Sequence, residues 1–310
     1  MTAALEVRNV SKWFGDTVAL SDVSFESSPG VVGLLGHNGA GKSTLFGLLA
    51  GFSSPSQGTV RVLGLDPRDD PSVHARMGLV PDGEGLWPFL TARQTVELLA
   101  RHRGVTAYEK AAAAALSTVG LVEAADRKVA GFSKGMRQRV RLAQALAHDP
   151  EVLLMDEPLN GLDPAQRRAD VDLVRELGGS GRTVLVSSHI LAEVERMADR
   201  VLVVVNGRLV AEGTPAGVQE LLAQSARTVR VETDDPRKLA GLLLREAHVD
   251  SVGIDEHAVV VHTSDGAQLA VQLPQLAAKA RILLLRVIPI GEDLESVFTR
   301  LTASARGAGR

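Results

Sequence analysis

Apolar and polar side chains alternate through the first part of the chain, and this alternation predicts β-structure. Leu5–Val10 alternates apolar and polar side chains, and Val18–Phe25 repeats the pattern more loosely, as strands with one buried face do. Gly58–Leu65 and Met77–Val80 are predicted as further strands, because each is a short apolar-rich run that ends at a proline. The opening of the chain is therefore predicted to be mainly β.

From Thr91 onward the apolar residues recur at helical spacing. The pattern predicts helices at Thr91–Arg101, Tyr108–Val119 and Met136–Ala147, so that residues 88–150 form a helical insertion. Strands then return in alternation with helices, which predicts a mostly parallel sheet. These later strands are 151–155, 183–187 and 201–205.

The pattern changes again after residue 220, and this change predicts a second domain. Residues 225–304 show strands and helices in the order βαββαβ, followed by a closing helix at Leu294–Leu301; that order is typical of the ferredoxin-like arrangement. The predicted fold is an α/β domain over 1–220, with an antiparallel β edge and the helical insertion, plus this small α+β domain. Residues 305–310 are predicted to be a disordered tail.

One segment has the composition of a phosphate-binding loop: glycine, four residues, then Gly, Lys and Ser or Thr. Glycines let successive backbone N–H groups approach one anion, Lys42 can reach the outer phosphates, and the Ser43 hydroxyl can complete a magnesium shell. The segment consists of Gly36, His37, Asn38, Gly39, Ala40, Gly41, Lys42, Ser43 and Thr44. A buried strand is predicted before it and a helix after it, so it predicts a site for a nucleoside triphosphate at a helix N-terminus.

A second polar feature ends the apolar strand Val152–Met155, where Asp156 and Glu157 precede Pro158. Neighbouring strand residues point to opposite faces, so both acids reach one site only where the strand ends, and Pro158 favours that end. Asp156 is placed to hold Mg²⁺, and Glu157 is then free to polarise the attacking water.

Composition argues against several other functions. The net charge of −3 is spread over interspersed acidic and basic residues, so the clustered basic face that nucleic acid requires is not visible. The 310-residue chain has no cysteine, which rules out disulfides and cysteine nucleophiles. No apolar run approaches the ~18 residues of a spanning helix, and no secretory signal is visible. We therefore expect a cytoplasmic protein whose membrane role depends on a partner.

Further motifs resemble those of ABC ATPases. Residues 132–138, Phe-Ser-Lys-Gly-Met-Arg-Gln, are similar to the signature motif of that family and precede a predicted helix. Residues 160–164 resemble its D-loop, His189 resembles its switch histidine, and Phe14 occupies the position of the aromatic residue that stacks on adenine. The resemblance covers residues 1–220, and the motifs follow one another in the family's order.

The resemblance implies a head-to-tail dimer, either a homodimer or a heterodimer with a similar ATPase, that holds two ATP molecules with Mg²⁺. Each ATP would lie between the phosphate loop of one subunit and Ser133 and Gly135 of the other. Asp163 of the D-loop would be among the nucleotide-binding residues, and His189 would act beside Glu157 in catalysis.

The forms of the signature and D-loop, together with residues 293–298, resemble the antibiotic- and drug-exporter branch, in which the permease is a separate chain. That branch implies integral membrane permease partners and a place on the cytoplasmic face of the membrane. A soluble ABC protein acting in DNA repair, translation or cluster assembly is the alternative, and an uptake ATPase is a third. The first of these alternatives often carries two cassettes or a long coiled coil, which this chain lacks.

Two positions depart from the family's motifs, and the residue that stacks on adenine is open to a choice between two aromatic side chains. Asp82 stands where the family generally has a glutamine that senses magnesium and water, and a shorter acid there could still bind a magnesium-bound water. Lys134 replaces the first glycine of the signature. Trp13 precedes Phe14 and could stack on adenine instead, although we favour Phe14.

Overall fold

The computed structural model describes most of the chain, namely residues 3–83, 85–224, 228–255 and 257–289. The chain divides into two compact units, Met1–Pro215 and Ala216–Arg310, so the division falls a few residues before the predicted end of the first domain. The predicted closing helix at 294–301 and the predicted tail at 305–310 lie outside the described residues.

The first unit alternates strands and helices after an all-β start. Its elements are β1 (Leu5–Phe14), β2 (Thr17–Ser27), β3 (Gly30–Leu35), α1 (Lys42–Leu49), β4 (Gln57–Val62), β5 (Met77–Val80), α2 (Ala92–His102), α3 (Tyr108–Thr118), α4 (Lys134–Leu146), β6 (Val152–Met155), α5 (Pro164–Gly179), β7 (Thr183–Ser188), α6 (Leu191–Met197), β8 (Arg200–Val205) and β9 (Arg208–Gly213). Helix α7 (Pro215–Gln224) begins at the division between the units.

A six-stranded sheet in the order β5-β6-β7-β3-β8-β9 forms the centre of this unit. The first five strands are parallel and β9 is antiparallel, which confirms the predicted mostly parallel sheet. Its central strands are buried on both faces, so their sequences are nearly continuous apolar runs. Leu35 pairs with Ser188 and Met155 with Val186, so the carboxyl ends of β3, β6 and β7 meet at one edge of the sheet.

A three-stranded antiparallel sheet in the order β2-β1-β4 packs on the six-stranded sheet through one shared core. Helix α1 contributes Leu45 and Leu49 to that core, which also includes Leu20 of β2 and Leu34 of β3. Each of these leucines is fully buried, and such burial stabilises the fold by roughly 1.5–3 kcal/mol per side chain. The helix that follows the phosphate loop is therefore held between the two sheets.

The strand predicted for Gly58–Leu65 ends earlier than expected, and the edge strand β9 was not predicted. Leu63 (φ 53°) and Gly64 (φ 80°) are both left-handed, and Val62 exchanges two backbone hydrogen bonds with Leu65, so the chain makes a tight turn at that point. Apolar residues continue into this turn at Leu63 and Leu65, which explains why the apolar-rich run extended the predicted strand.

The second unit is built from β10 (Thr228–Thr233), α8 (Pro236–Leu243), β11 (Val249–Asp255), β12 (Ala258–Thr263), α9 (Gly266–Ala280) and β13 (Leu284–Pro289). Its sheet is antiparallel in the order β11-β12-β10-β13, which is the ferredoxin-like topology. Val231, Val259 and Val261 of the sheet share a core with both helices. Helix α8 ends at Leu243 rather than at Ala247, because i→i+3 turns follow it.

Two adjacent leucines at the end of α8 allow the core of the second unit to be tested. Leu243 is fully buried, whereas Leu244 is 60% exposed. We expect Leu243→Ala to lower the free energy of unfolding of this unit by about 2–5 kcal/mol and Leu244→Ala to change it by less than about 0.5 kcal/mol. Hydrogen exchange of β10 and β12 in the intact chain measures this difference, and equal effects of the two substitutions would contradict the assignment of this core.

Candidate functional site

The loop between β3 and α1 has the backbone that phosphate binding requires. Gly39 (φ 84°) and Gly41 (φ 104°) are left-handed, and a Cβ on Gly41 would lie 2.6 Å from the carbonyl oxygen of Ala19. Only glycine fits this position without strain. Gly41 also stands at the N-cap of α1, with no side chain to cover the helix N-terminus, and a helix N-terminus with accessible amides favours an anion.

Lys42 points back into the loop that carries it. Its ammonium group contacts the carbonyl oxygens of Gly36 at 2.6 Å and His37 at 3.1 Å, and it lies 3.0 Å from Oε1 of Glu157. An ammonium group has three donors, so each donor has one acceptor. The side chain is 6% exposed, and these contacts compensate the cost of burying its charge.

Glu157 follows the end of β6 and connects the phosphate loop to His189, which follows the end of β7. Its Oε1 pairs with Lys42, and its Oε2 lies 2.9 Å from Nδ1 of His189. The structure therefore brings together three predicted site residues that are more than thirty positions apart in the sequence. The Glu157 carboxylate is held between these two basic side chains, and its role in polarising the attacking water stays a prediction. Its backbone is left-handed, with φ 46°, which is uncommon for a residue other than glycine.

Asp156 directly precedes Glu157 and is buried, with 7% of its surface exposed. Its Oδ1 accepts a hydrogen bond of 2.7 Å from the Ser187 hydroxyl, and its backbone N–H donates to the carbonyl oxygen of Val80 on β5. The Ser187 oxygen also accepts a 2.7 Å hydrogen bond from the N–H of Glu157. Ser187 was not predicted to have a role of its own, because a serine in a buried strand gives no signal in the sequence without its spatial neighbours.

The residues predicted to hold metal comprise two carboxylates, Asp82 and Asp156, and the Ser43 hydroxyl. Among the described residues, no three His, Asp or Glu side chains come together in a way that could hold an ion. Ser43 and Asp82 are exposed, whereas Asp156 is buried. Such a set suits Mg²⁺, which is usually bound through one or two carboxylates together with phosphate oxygens and water.

An aromatic surface lies at the end of β1. Phe14 is 56% exposed and Trp13 is 41% exposed, and the Lys12 ammonium lies 4.8 Å from the centre of the Phe14 ring. Exposed large apolar rings are expensive to leave in water, and a flat base can cover them. Either ring could therefore receive a base.

The signature and D-loop residues have structural roles within this chain. Ser133 caps α4 by accepting a hydrogen bond from the Met136 N–H at 3.2 Å, and Asp163 caps α5 through two backbone N–H groups. Gly135 is buried against the Gln166 side chain, and a Cβ there would overlap it. The starts of α4 and α5 are thus packed on each other and present both motifs together.

A glycine-rich turn between a buried strand and a helix, with a lysine that faces a carboxylate from a neighbouring strand, defines a P-loop nucleotide-binding protein. Residues 20–160 match the family described as ABC transporter. The chain is also 34% identical over 304 residues to Nod factor export ATP-binding protein I of Rhizobium etli, with 96% of this chain and 93% of that protein covered. The chain belongs to the family of ABC transporter ATP-binding subunits.

Two solved structures are similar in fold. cbiO1 from Clostridium perfringens, part of the transporter complex cbiONQ, is 27% identical with a TM-score of 0.64 and covers 71% of this chain and 92% of its own. A dimeric ATP-binding cassette bound to ADP and Pi is 26% identical with a TM-score of 0.60, and the match covers 68% of this chain and 98% of that chain. They confirm the predicted P-loop ABC ATPase fold. Within the described ranges, no helix has the length and apolar character needed to cross a membrane.

The contacts of Lys42 lead to a test of nucleotide binding. Among the described residues, Glu157 pairs with two basic side chains, Lys42 and His189. Lys42→Ala removes the first of them, so a phosphate group would meet a Glu157 carboxylate whose charge is less well compensated. We expect ATP affinity to fall by at least tenfold, since a buried charged hydrogen bond contributes about 1.5–3 kcal/mol. Isothermal titration with ATP measures the change. Lys110→Ala, on the exposed side of α3, is the control and should bind as the parent does.

The choice between the two aromatic residues can be made by substitution. We expect Phe14→Ala to weaken ATP binding by several-fold and Trp13→Ala to weaken it less, because stacking on one base contributes about 1–3 kcal/mol. Both variants are titrated with ATP and with inorganic triphosphate, which has no base. Weaker binding of ATP alone indicates lost stacking, whereas weaker binding of both ligands indicates a damaged phosphate loop. A larger effect of Trp13→Ala would assign the base to that ring instead.

Proposed function

We propose that this chain binds and hydrolyses ATP to power an exporter whose membrane-spanning part is a separate chain. The observation that carries the proposal is the meeting of Lys42, Glu157 and His189 at the carboxyl edge of the sheet. The similarity to an export ATP-binding protein over almost the whole chain supports the same reading. A soluble, non-transport role is not favoured by these relatives.

In the proposed reaction, the outer phosphates of ATP take over the contact that Lys42 makes with Glu157. The Glu157 carboxylate then accepts a proton from the water that attacks the γ-phosphorus, and the bond to the leaving oxygen of ADP breaks. His189 lies on the other side of the same carboxylate, where it can donate to a γ-phosphate oxygen. The amides of the loop and the N-terminus of α1 stabilise the charge that develops.

Mg²⁺ belongs to this proposal as well. The Ser43 hydroxyl and the Asp156 carboxylate would hold it, with Asp82 acting through water. The bound ion would neutralise charge on the phosphates. The remaining proposed nucleotide contacts are the loop residues Gly36, Asn38, Gly39, Ala40, Gly41 and Thr44, with Phe14 at the base.

The proposed assembly is a dimer of two such ATPases attached to permease subunits. One relative in fold is dimeric with ADP and Pi bound, and another is part of a transporter complex. In this arrangement Ser133, Gly135 and Asp163 of one subunit face the nucleotide on the other, where the helix N-terminus of α4 adds a positive partial charge. Closure on ATP and opening after hydrolysis would drive the permease from the cytoplasmic face.

The role of Glu157 is tested by Glu157→Gln, which keeps the shape of the side chain but removes the base. We expect steady-state ATP hydrolysis to fall by a factor of about 100 or more, whereas ATP binding is kept. Phosphate release and ATP titration are the measurements. Glu109→Gln, on the exposed face of α3, should hydrolyse at the parent rate. Turnover at the parent rate by Glu157→Gln would show that another group is the base.

The transport role is tested by isolating the chain from detergent-solubilised membranes of its own cell. We expect an integral membrane protein to co-purify in a fixed ratio, and its reconstitution with this chain to change the ATPase rate, because permease movement is coupled to closure. The Glu157→Gln variant should retain the complex but not the turnover. Recovery of soluble partners alone would favour the non-transport alternative.

A further inference from the structure

We infer that Ser187 is a positioning residue that sets both carboxylates of the site through a single hydroxyl group. The inference rests on the proposed function, since it assumes that Glu157 is the base and that Asp156 is a metal ligand. It adds to that function a residue on a different strand, whose side chain is placed to act on the reaction only through these two acids.

The position of Ser187 follows from the register of the sheet. Strands β6 and β7 are parallel, with Met155 paired to Val186, so Ser187 stands beside the first residue after β6, which is Asp156. The Ser187 side chain is fully buried. Its hydroxyl donates to Oδ1 of Asp156 at 2.7 Å and accepts from the N–H of Glu157 at 2.7 Å. A hydroxyl has one hydrogen to donate, and Ser187 commits it to Asp156.

The backbone of Glu157 shows why this bridge matters. Glu157 is left-handed, and a conformation of this kind persists only where its surroundings determine it. Ser187 holds the N–H of this residue, and the Asn160 N–H holds its carbonyl oxygen at 3.1 Å. The left-handed turn directs the carboxylate toward Lys42 and His189. The hydroxyl on β7 therefore helps to aim the base.

The neighbouring serine has a different function in the fold. Ser188 donates to Oε2 of Glu193 at 2.6 Å and accepts from the Ile190 N–H at 3.0 Å, so it organises the start of α6. Because side chains alternate along a strand, only Ser187 points to the two acids. The bridge is a property of one position and not of the serine pair.

Ser187→Ala removes the hydroxyl from both acids at once. The Glu157 N–H is left without its acceptor, and the turn can relax away from the left-handed conformation. We expect kcat for ATP to fall about 10- to 100-fold, since loss of two buried hydrogen bonds and of orientation act together. ATP affinity without metal should stay within about threefold of the parent, because the contacts of Lys42 with Gly36 and His37 remain. Mn²⁺ affinity in the presence of ADP should fall several-fold.

A matched control lies in the second unit. Thr263 is also fully buried, and its hydroxyl donates to the His248 carbonyl oxygen at 2.6 Å, with the Asp265 carbonyl oxygen a longer second acceptor at 3.1 Å. It also accepts one backbone N–H, that of Asp265. Thr263→Val therefore removes a hydroxyl of the same kind far from the proposed chemistry in sequence. It should lower the melting temperature but leave kcat and Mn²⁺ affinity at parent values.

The experiment compares Ser187→Ala, Ser187→Thr and Thr263→Val in the intact chain. It measures kcat and KM for ATP, ATP binding in EDTA, Mn²⁺ binding with ADP by electron paramagnetic resonance, and the melting temperature. The inference is supported if Ser187→Ala loses kcat and Mn²⁺ affinity while its metal-free ATP binding is unchanged. Ser187→Thr, which keeps the hydroxyl and suits a strand, should then recover kcat and Mn²⁺ affinity to within about threefold of the parent.

Three results would overturn the inference: parent-like kcat in Ser187→Ala, a folded but equally impaired Ser187→Thr, or parallel losses of metal-free ATP binding and melting temperature. Failure of the proposed function is recognised separately. It would appear as hydrolysis at the parent rate by Glu157→Gln, whatever the Ser187 variants do.

Discussion

The parallel register of β3, β6 and β7 is the constraint on which the site depends. It places the start of the phosphate loop, the two acids and the end of β7 at one edge of the sheet. Ligands of open α/β sheets bind at this edge because the strand ends diverge there and the helix N-termini point toward it. Helix α1, which follows the phosphate loop, packs into the core that the two sheets share.

At that edge of the sheet, the pairing of two buried charges, Lys42 and Glu157, holds their side chains in place. Lys42 and Glu157 are both largely buried, and a buried charge without a partner destabilises a fold strongly. Their contact gives each of the two charges a partner. A phosphate group is the natural competitor for Lys42, since it also offers anionic oxygen atoms. In the proposed reaction, the same pair that stabilises the chain links nucleotide binding to the release of Glu157 as the base.

Residues of the family motifs also serve the fold. Ser133 and Asp163 cap the helices α4 and α5, and Gly135 allows those helix starts to pack closely. A helix start is suited to both tasks, because the N–H groups that need a cap are also the groups that can face an anion. The second unit is different: its core is complete in itself, and none of the proposed nucleotide residues belongs to it.

Local patterns were sufficient for much of this protein. The phosphate loop, the acidic strand end and most strands and helices could be recognised because glycine spacing, side-chain alternation and helical period act over a few residues. The turn at Leu63, the edge strand β9 and the pairing of Glu157 with Lys42 and His189 could not. The apolar run of the strand continues into the tight turn, and an edge strand of mixed exposure shows no clear period. The left-handed backbone of Glu157 and its bridge to Ser187 depend on how β6 and β7 align, and strand alignment is determined only when the whole sheet packs.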